Sequence, residues 1–452
     1  MEKIFKLKEN GTKVSTELIA GVTTFMAISY IIFINPTILS QTGMDYNAVY
    51  MATILASIFG TLFVGLFANV PYVLSAGLGI NSLFTYTICM SMGFTWQQGL
   101  AMVFICGVIS GIITLTSLRK KLIAAIPLFF QDAITVGIGL FIAYTGFRNT
   151  GLIQFTVNGV TDGIASGSST IPSLVTFNTP AVILSIIGLI ITSILLLRKA
   201  KGAYLIGILL TTLIGIPLGV TSLPNFSNYT ILPSLEPTFL KLDFAGLFTA
   251  EAGIVVVIMT IFTLCISDLF DSVGTFIGTG KKSGIFKIDE NGKMSPKLEK
   301  ALFADSISTS VGALLGTSNV TSYVESSAGI QAGGRTGLTS VFAALCFAVS
   351  LFVYPLVACV PMAAIAPILI LIGVSMIEAV GNIDWKDLAV ALPAFFTIVL
   401  MPFSYSITTG IQIGFLFYII SNVAIEKAKN VSPIIYLFSI LFIIDFVYKA
   451  IG

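Results

Sequence analysis

The sequence predicts an all-α polytopic membrane protein of about fourteen spans, built as two halves of about seven spans each in opposite orientation. Three observations carry this expectation. Of the 452 residues, 56% are hydrophobic and only 10% are charged, whereas a soluble domain holds about 25% Asp, Glu, Lys and Arg. Apolar stretches of about 20 residues, the length a spanning helix needs, recur along nearly the whole chain with short polar breaks between them. Two polar, glycine-rich interruptions also echo each other: Ser75-Ala76-Gly77-Leu78-Gly79-Ile80-Asn81 and Ser327-Ala328-Gly329-Ile330-Gln331-Ala332-Gly333.

The N-terminal segment carries Lys3, Lys6, Lys8 and Lys13, and the apolar run that begins at Leu18 has no small-residue cleavage site. That run is therefore expected to stay as the first span and not to leave as a signal peptide. Apolar windows place the first seven spans near 17–40, 47–69, 72–90, 97–117, 122–147, 180–197 and 203–222. The second seven fall near 251–279, 299–316, 319–334, 336–358, 360–379, 387–403 and 405–425. A further apolar piece, 433–448, holds Asp445 and Lys449 and reads as either an interfacial helix or one more span.

Orientation follows from the basic clusters, since short cytoplasmic loops are enriched in Lys and Arg. The N-terminus, Arg119-Lys120-Lys121, Arg198 with Lys199 and Lys201, the 281–300 loop, and Lys427 with Lys429 all fall on one side of this span order. Both termini are expected in the cytoplasm, in a multi-pass protein of the plasma membrane. The opposite-side loops, 148–179 and 223–246, are rich in Ser, Thr, Asn, Gly and Pro and hold only Arg148 and Lys241 as basic residues. A net charge of +2 gives no basic character that would argue for nucleic acid as a partner. Cys89, Cys106, Cys265, Cys346 and Cys359 are scattered through apolar segments with neither metal-ligand nor disulfide spacing, and read as small core residues.

A second echo pairs Ile126-Pro127 and the helix after it with Val360-Pro361 and the helix after it. Two echoes at comparable offsets argue for an inverted repeat, because an odd number of spans per half reverses its orientation. In such transporters interrupted spans expose backbone donors and acceptors near the midplane, where substrate binds. The plainer reading is that these glycines let helices pack closely; matched positions in both halves weigh against it.

Acids inside spans point to the same place. The eighth span reads Thr263-Leu264-Cys265-Ile266-Ser267-Asp268-Leu269-Phe270-Asp271-Ser272-Val273-Gly274-Thr275, with Asp268 and Asp271 at i and i+3 on one helix face. Glu325, followed by Ser326, immediately precedes the second glycine-rich break. A central acid costs about 2.5–3.5 kcal/mol on insertion scales, so three of them imply a protein-lined cavity. The bland alternative is pairing with a buried base; Arg335 is the nearby candidate and could satisfy one acid but not three.

The chain has no histidine, which excludes a histidine proton relay or metal ligand. No cofactor or metal is expected, and a coupling proton would travel on Asp271, Glu325 and Asp268, where desolvation in a closed site favours the neutral carboxyl. A planar heterocycle with amide-like edges suits the set: Glu325 and Asp271 accept from ring N–H groups, and Asn81 and exposed backbone supply donors and acceptors. Phe84 or Phe25 could stack on the ring, although 35 phenylalanines make packing the commoner role for any one of them.

At these residues the sequence resembles the AzgA-like purine permeases of the nucleobase/cation symporter superfamily, from about Glu17 to Asn422. The matching stretches are Ala20-Gly21-Val22-Thr23-Thr24-Phe25, Ile34-Asn35-Pro36, Gly77-Leu78-Gly79-Ile80-Asn81, Asp268 to Thr275, and Val324-Glu325-Ser326-Ser327-Ala328-Gly329. The resemblance implies a seven-plus-seven inverted repeat divided into a core domain (spans 1–4 and 8–11) and a gate domain (spans 5–7 and 12–14). The interrupted spans would contain short extended segments that meet at the substrate. Along the chain this gives first-repeat core helices with the start of the gate in 1–147, gate helices and external loops in 148–250, second-repeat core helices in 251–358, gate helices in 359–426 and an apolar tail in 427–452. By the same resemblance Asn81, Asp268, Asp271 and Glu325 contact or couple to the purine. Related uracil permeases carry a histidine in the eighth span where this chain has Thr275, and that departure favours the purine branch.

The expected activity is proton-coupled import of hypoxanthine, guanine or adenine by a core that moves against a gate, with a small purine base and the lipid bilayer as partners and a homodimer left open. The same fold could carry another cargo, such as uracil, xanthine or an inorganic anion, though three acids argue against an anion. An intramembrane enzyme would have only an aspartyl-type dyad of Asp271 with Glu325 to work with, and no catalytic residue is assigned.

Overall fold

The computed structural model describes residues 2–116, 126–157, 160–161, 164–165, 170–222, 232–249, 253–286, 295–357 and 359–451. Arg119-Lys120-Lys121, the start of the span expected at 122–147, and the middle of the 281–300 loop lie outside these residues. Helices dominate, as apolar segments in lipid must satisfy their backbone internally. The first span is bent: α1 (Val14–Ile28) and α2 (Ile31–Leu39) meet at Ser29 and Tyr30. Next comes α3 (Tyr46–Phe67), started by the Asp45 carboxylate, which accepts from the Ala48 N–H at 2.8 Å. After the first interruption α5 (Trp96–Leu115) opens with a reciprocal cap between Thr95 and Gln98.

The interruptions are where the chain leaves the helix. β1 (Leu74–Ala76) leads into the short α4 (Leu78–Ser82), which widens into a π-helical stretch, Leu83–Ser91. The half turned the other way repeats the arrangement with β4 (Val320–Ser322) and α11 (Ser326–Gln331). β1 and β4 pair antiparallel, with Leu74 opposite Ser322, Ser75 opposite Thr321 and Ala76 opposite Val320. Gly77 N–H to Asn319 C=O (2.9 Å) and Tyr323 N–H to Val73 C=O (3.2 Å) prolong the ladder at both ends. Extended backbone at membrane depth survives only where every polar group finds a partner, and both outer edges are closed by one device. Thr61 Oγ1 accepts from Leu74 N–H (3.1 Å) and donates to Leu74 C=O (3.0 Å). Thr309 Oγ1 does the same for Val320, at 3.2 and 2.9 Å.

The remaining longer helices are α6 (Leu128–Asn149), α7 (Pro180–Leu197), α8 (Ala203–Gly215), α9 (Gly253–Ser283), α10 (Pro296–Leu315), α12 (Gly337–Ser350), α13 (Met362–Ile377), α14 (Leu388–Phe403), α15 (Ile407–Ala424) and α16 (Pro433–Ile451). Among the described residues eight helices are long and apolar enough to cross a membrane, and shorter apolar helices lie at Ala203–Gly215, Gly337–Ser350, Leu388–Phe403 and Pro433–Ile444. The two expected spans at 72–90 and 319–334 are the two strand-and-helix units.

Packing sorts the helices into two sets. One surrounds the strand pair: α3 packs on α12 and α10, α5 on α10 and α9, and α1 on α12 and α11. The α3–α12 and α5–α10 contacts are counterparts in the two halves. In the first of them backbone meets backbone, because a Cβ on Gly337 would stand 1.8 Å from the Gly65 carbonyl oxygen. The second set joins α6 to α13 and α14, α14 to α15, and α7 to α8 and α13, and it touches the first set more sparsely.

Two features lie outside the fourteen expected spans. The loop after α6 contains a hairpin, β2 (Ile153–Val157) against β3 (Thr170–Leu174), for which the alternation Ile153-Gln154-Phe155-Thr156-Val157 is the reason. The apolar tail is a helix, α16, whose Phe438 and Phe442 rings sit against Phe262 of α9 (4.2 and 6.0 Å between centroids) and Phe415 of α15 (6.3 and 5.8 Å).

Candidate functional site

Two carboxylates and both strand ends converge. Glu325 stands at the start of α11 and is half-buried, as is Asp271 on α9. The Tyr30 hydroxyl, from the bend in the first span, donates to Glu325 Oε1 at 2.5 Å. Gly77 follows β1, and the direction a Cβ would take from it leads to Thr321 Oγ1 (2.7 Å) and Asp271 Oδ2 (3.6 Å). Residues from both halves thus meet at one place: Gly77 and Tyr30 from the first, Asp271, Thr321 and Glu325 from the second.

Asp268 is held apart from this pair. It is 1% exposed, and its Oδ1 accepts from Asn319 Nδ2 at 3.1 Å, a donor that also lies 3.4 Å from Cys106 Sγ. Sharing a helix face with Asp271 did not give it the same surroundings, because Asn319 at the head of β4 takes it up.

Asn81 is fully buried. Its Nδ2 donates to Asn35 Oδ1 at 2.6 Å and its Oδ1 accepts from the Ser318 hydroxyl. Asn35 Nδ2 in turn reaches Thr53 Oγ1 (2.7 Å) and Thr317 Oγ1 (2.9 Å). This network ties α4 to the first span and to the segment entering β4. Ser326 is equally buried, and its hydroxyl accepts the Val73 N–H at 3.0 Å, satisfying backbone that leads into β1. Thr275 is buried on α9, where its carbonyl accepts from Thr279 Oγ1 at 2.6 Å. Phe84 lies against Gly99 of α5, whose added Cβ would meet its ring at 2.7 Å, and Phe25 packs edge-on to Phe347 with centroids 5.1 Å apart. Of the residues singled out from sequence, Glu325 and Asp271 come together at the half-buried junction. Asn81, Asp268, Ser326, Thr275, Phe84 and Phe25 make the separate contacts given above.

Sequence reasoning passed over several polar residues. Tyr30 is one of 14 tyrosines, and only its place in a Ser-Tyr step inside an apolar span marked it. Glu17 is fully buried; it accepts from Arg335 N–H (3.0 Å), Thr336 N–H (3.3 Å), Thr339 N–H (3.1 Å) and Thr339 Oγ1 (2.5 Å), fastening α1 to the N-terminus of α12, where the helix dipole favours a negative group. Asp305 of α10 is fully buried and accepts from Ser272 Oγ at 2.6 Å. Arg335, the base considered as a partner for the acids, spends its Nη1 on the Ile330 and Gly334 carbonyls (2.6 and 2.7 Å) at the end of α11. Among the described residues no group of three or more His, Cys, Asp or Glu could hold a metal ion.

The two acids, Asp271 on α9 and Glu325 at the start of α11, thus stand beside the paired strands. Comparison with known proteins agrees in fold and in kind. The fold is similar to the transmembrane domain of a cyanobacterium bicarbonate transporter, BicA, with a TM-score of 0.60 at 16% identity over 90% of this chain and 97% of that one. The inverted-repeat transporter fold follows from that likeness, and nothing about cargo does. The chain is 39% identical to the adenine permease AdeP of Escherichia coli over 99% of this chain and 96% of that protein. It is 39% identical to the guanine/hypoxanthine permease PbuO of Bacillus subtilis over 98% and 99% of the two chains. A model described as Permease family matches residues 15–413, and the chain belongs to that family.

Proposed function

We propose that the chain imports purine nucleobases, hypoxanthine, guanine or adenine, together with a proton. Glu325 and Asp271 accept hydrogen bonds from ring N–H groups of the base, and one or both carry the coupling proton. Asp268 and Asn81 hold the two broken spans in register around them. The first helix set acts as the core that carries the site, and α6, α7, α8, α13, α14 and α15 act as the gate against which it moves. The protein resides in the plasma membrane with both termini in the cytoplasm.

The observation that carries the reading is the pair of half-buried acids where the two interrupted spans meet. Charge at membrane depth is retained at a cost, and purines present N–H donors that suit carboxylate acceptors. The full-length relatives named as adenine and guanine/hypoxanthine permeases support the choice of base. The test is uptake of radiolabelled hypoxanthine, guanine, adenine, uracil and bicarbonate into proteoliposomes, with and without an inward proton gradient. Purine uptake that rises with the gradient is expected; uptake indifferent to it removes the coupling, and transport of none of the purines removes the cargo.

A further inference from the structure

A pair of tyrosines, one hydrogen-bonded and the other in ring contact with it, runs from Glu325 to the other helix set. Tyr30, 1% exposed, donates to its Oε1 at 2.5 Å from the bend between α1 and α2. Tyr323, at the end of β4, is close enough to sense its charge, while its own hydroxyl is committed to the Ala76 carbonyl of β1. Tyr204, near the start of α8 in the other helix set, sets its ring edge-on against Tyr30, with centroids 5.1 Å apart and planes at 74°. Asp271 of α9 lies at the same junction. Tyr30 thus touches both the carboxylate and the opposing helix set.

We propose that Tyr30 is a positioning residue: its hydroxyl fixes the Glu325 carboxyl in one orientation before the base arrives, and the Tyr204 ring makes that fixed state depend on the contact between the two helix sets. A hydrogen bond to a charged group is among the stronger ones, and a carboxyl held in place spares the incoming base the cost of ordering it. Tyr30→Phe keeps the ring and its edge-on contact and removes only the O–H. Tyr204→Leu removes the ring contact and leaves the hydrogen bond. The two changes therefore separate binding from movement.

The inference rests on purine transport through this site, and the test is built so that the two fail differently. Initial rates of hypoxanthine uptake are measured in proteoliposomes holding wild type, Tyr30→Phe or Tyr204→Leu, each checked for monodispersity and thermal unfolding in detergent. Tyr30→Phe is expected to raise KM about tenfold or more with kcat within about twofold of wild type. Tyr204→Leu is expected to lower kcat at near wild-type KM. An unchanged KM in folded Tyr30→Phe, or a loss confined to its kcat, overturns the positioning role while leaving purine transport standing. A Tyr204→Leu protein indistinguishable from wild type overturns the link to the second helix set. Wild type that moves no purine takes down the transport reading and this role with it.

Discussion

Gly77→Ala tests the site's geometry with one methyl group. Gly77 has φ −72°, an ordinary value for any residue, so backbone strain does not enter and the effect is steric alone. The added Cβ would lie 2.7 Å from Thr321 Oγ1 and 3.2 Å from Thr321 Cγ2, against 3.6 Å from Asp271 Oδ2. Ordinary contact begins near 3.4 Å, so Thr321 must retreat by about 0.7 Å. Thr321 sits in the middle of β4, opposite Ser75, and moving it loosens the ladder. Overpacking of this kind costs about 1–3 kcal/mol, equivalent to roughly 5- to 150-fold in an equilibrium constant. The cost falls where the two halves meet, so it should appear mainly as weaker hypoxanthine affinity, measured by binding to purified protein, with the thermal midpoint in detergent lowered by a few degrees at most. Binding as tight as wild type would refute the placement of Gly77 between Thr321 and Asp271.

Other substitutions probe the supports separately. Gly337→Ala puts a Cβ 1.8 Å from the Gly65 carbonyl oxygen, an obstacle made of backbone that cannot rotate away, so stability should fall by about 3 kcal/mol or more, read as a lower unfolding temperature and poor recovery; a fully stable variant would contradict the close α3–α12 approach. Glu17→Gln replaces a carboxylate that accepts four hydrogen bonds with an amide that must point donors at donors, costing about 2–4 kcal/mol of stability while hypoxanthine affinity in the folded fraction stays unchanged. Asp268→Asn, which keeps shape and one acceptor toward Asn319, should retain hypoxanthine binding within about fivefold; abolition of binding would move Asp268 from the wall into direct contact with the base.

The sequence made the broken spans visible because glycine, serine and asparagine stand out inside apolar windows, and it made the acids visible because charge in a span is costly. What it could not convey was which acid faces the site. Asp268 and Asp271 share a helix face by spacing, and only the arrival of Asn319 from the chain beyond α10 separates them. The register of β1 with β4 was equally hidden, since strands of three residues carry no periodicity of their own and the edge-closing threonines, Thr61 and Thr309, come from other helices. Asn81 stands out in an apolar window, but its partners Asn35 and Ser318 lie 46 and 237 residues away. The β2–β3 hairpin lay in plain alternation at 153–157, masked by the many turn-forming residues around it.

The account turns on Glu325 as the acid that meets both base and proton, and its most direct test is gradient-driven uptake by Glu325→Gln beside wild type. The amide keeps the side chain's size and an oxygen for the Tyr30 hydroxyl but removes the charge and the titratable site. Wild type should accumulate labelled hypoxanthine above equilibrium when an inward proton gradient is imposed. Glu325→Gln should show no accumulation and at least about tenfold weaker binding. Normal affinity together with gradient-driven accumulation in the variant would contradict the central claim.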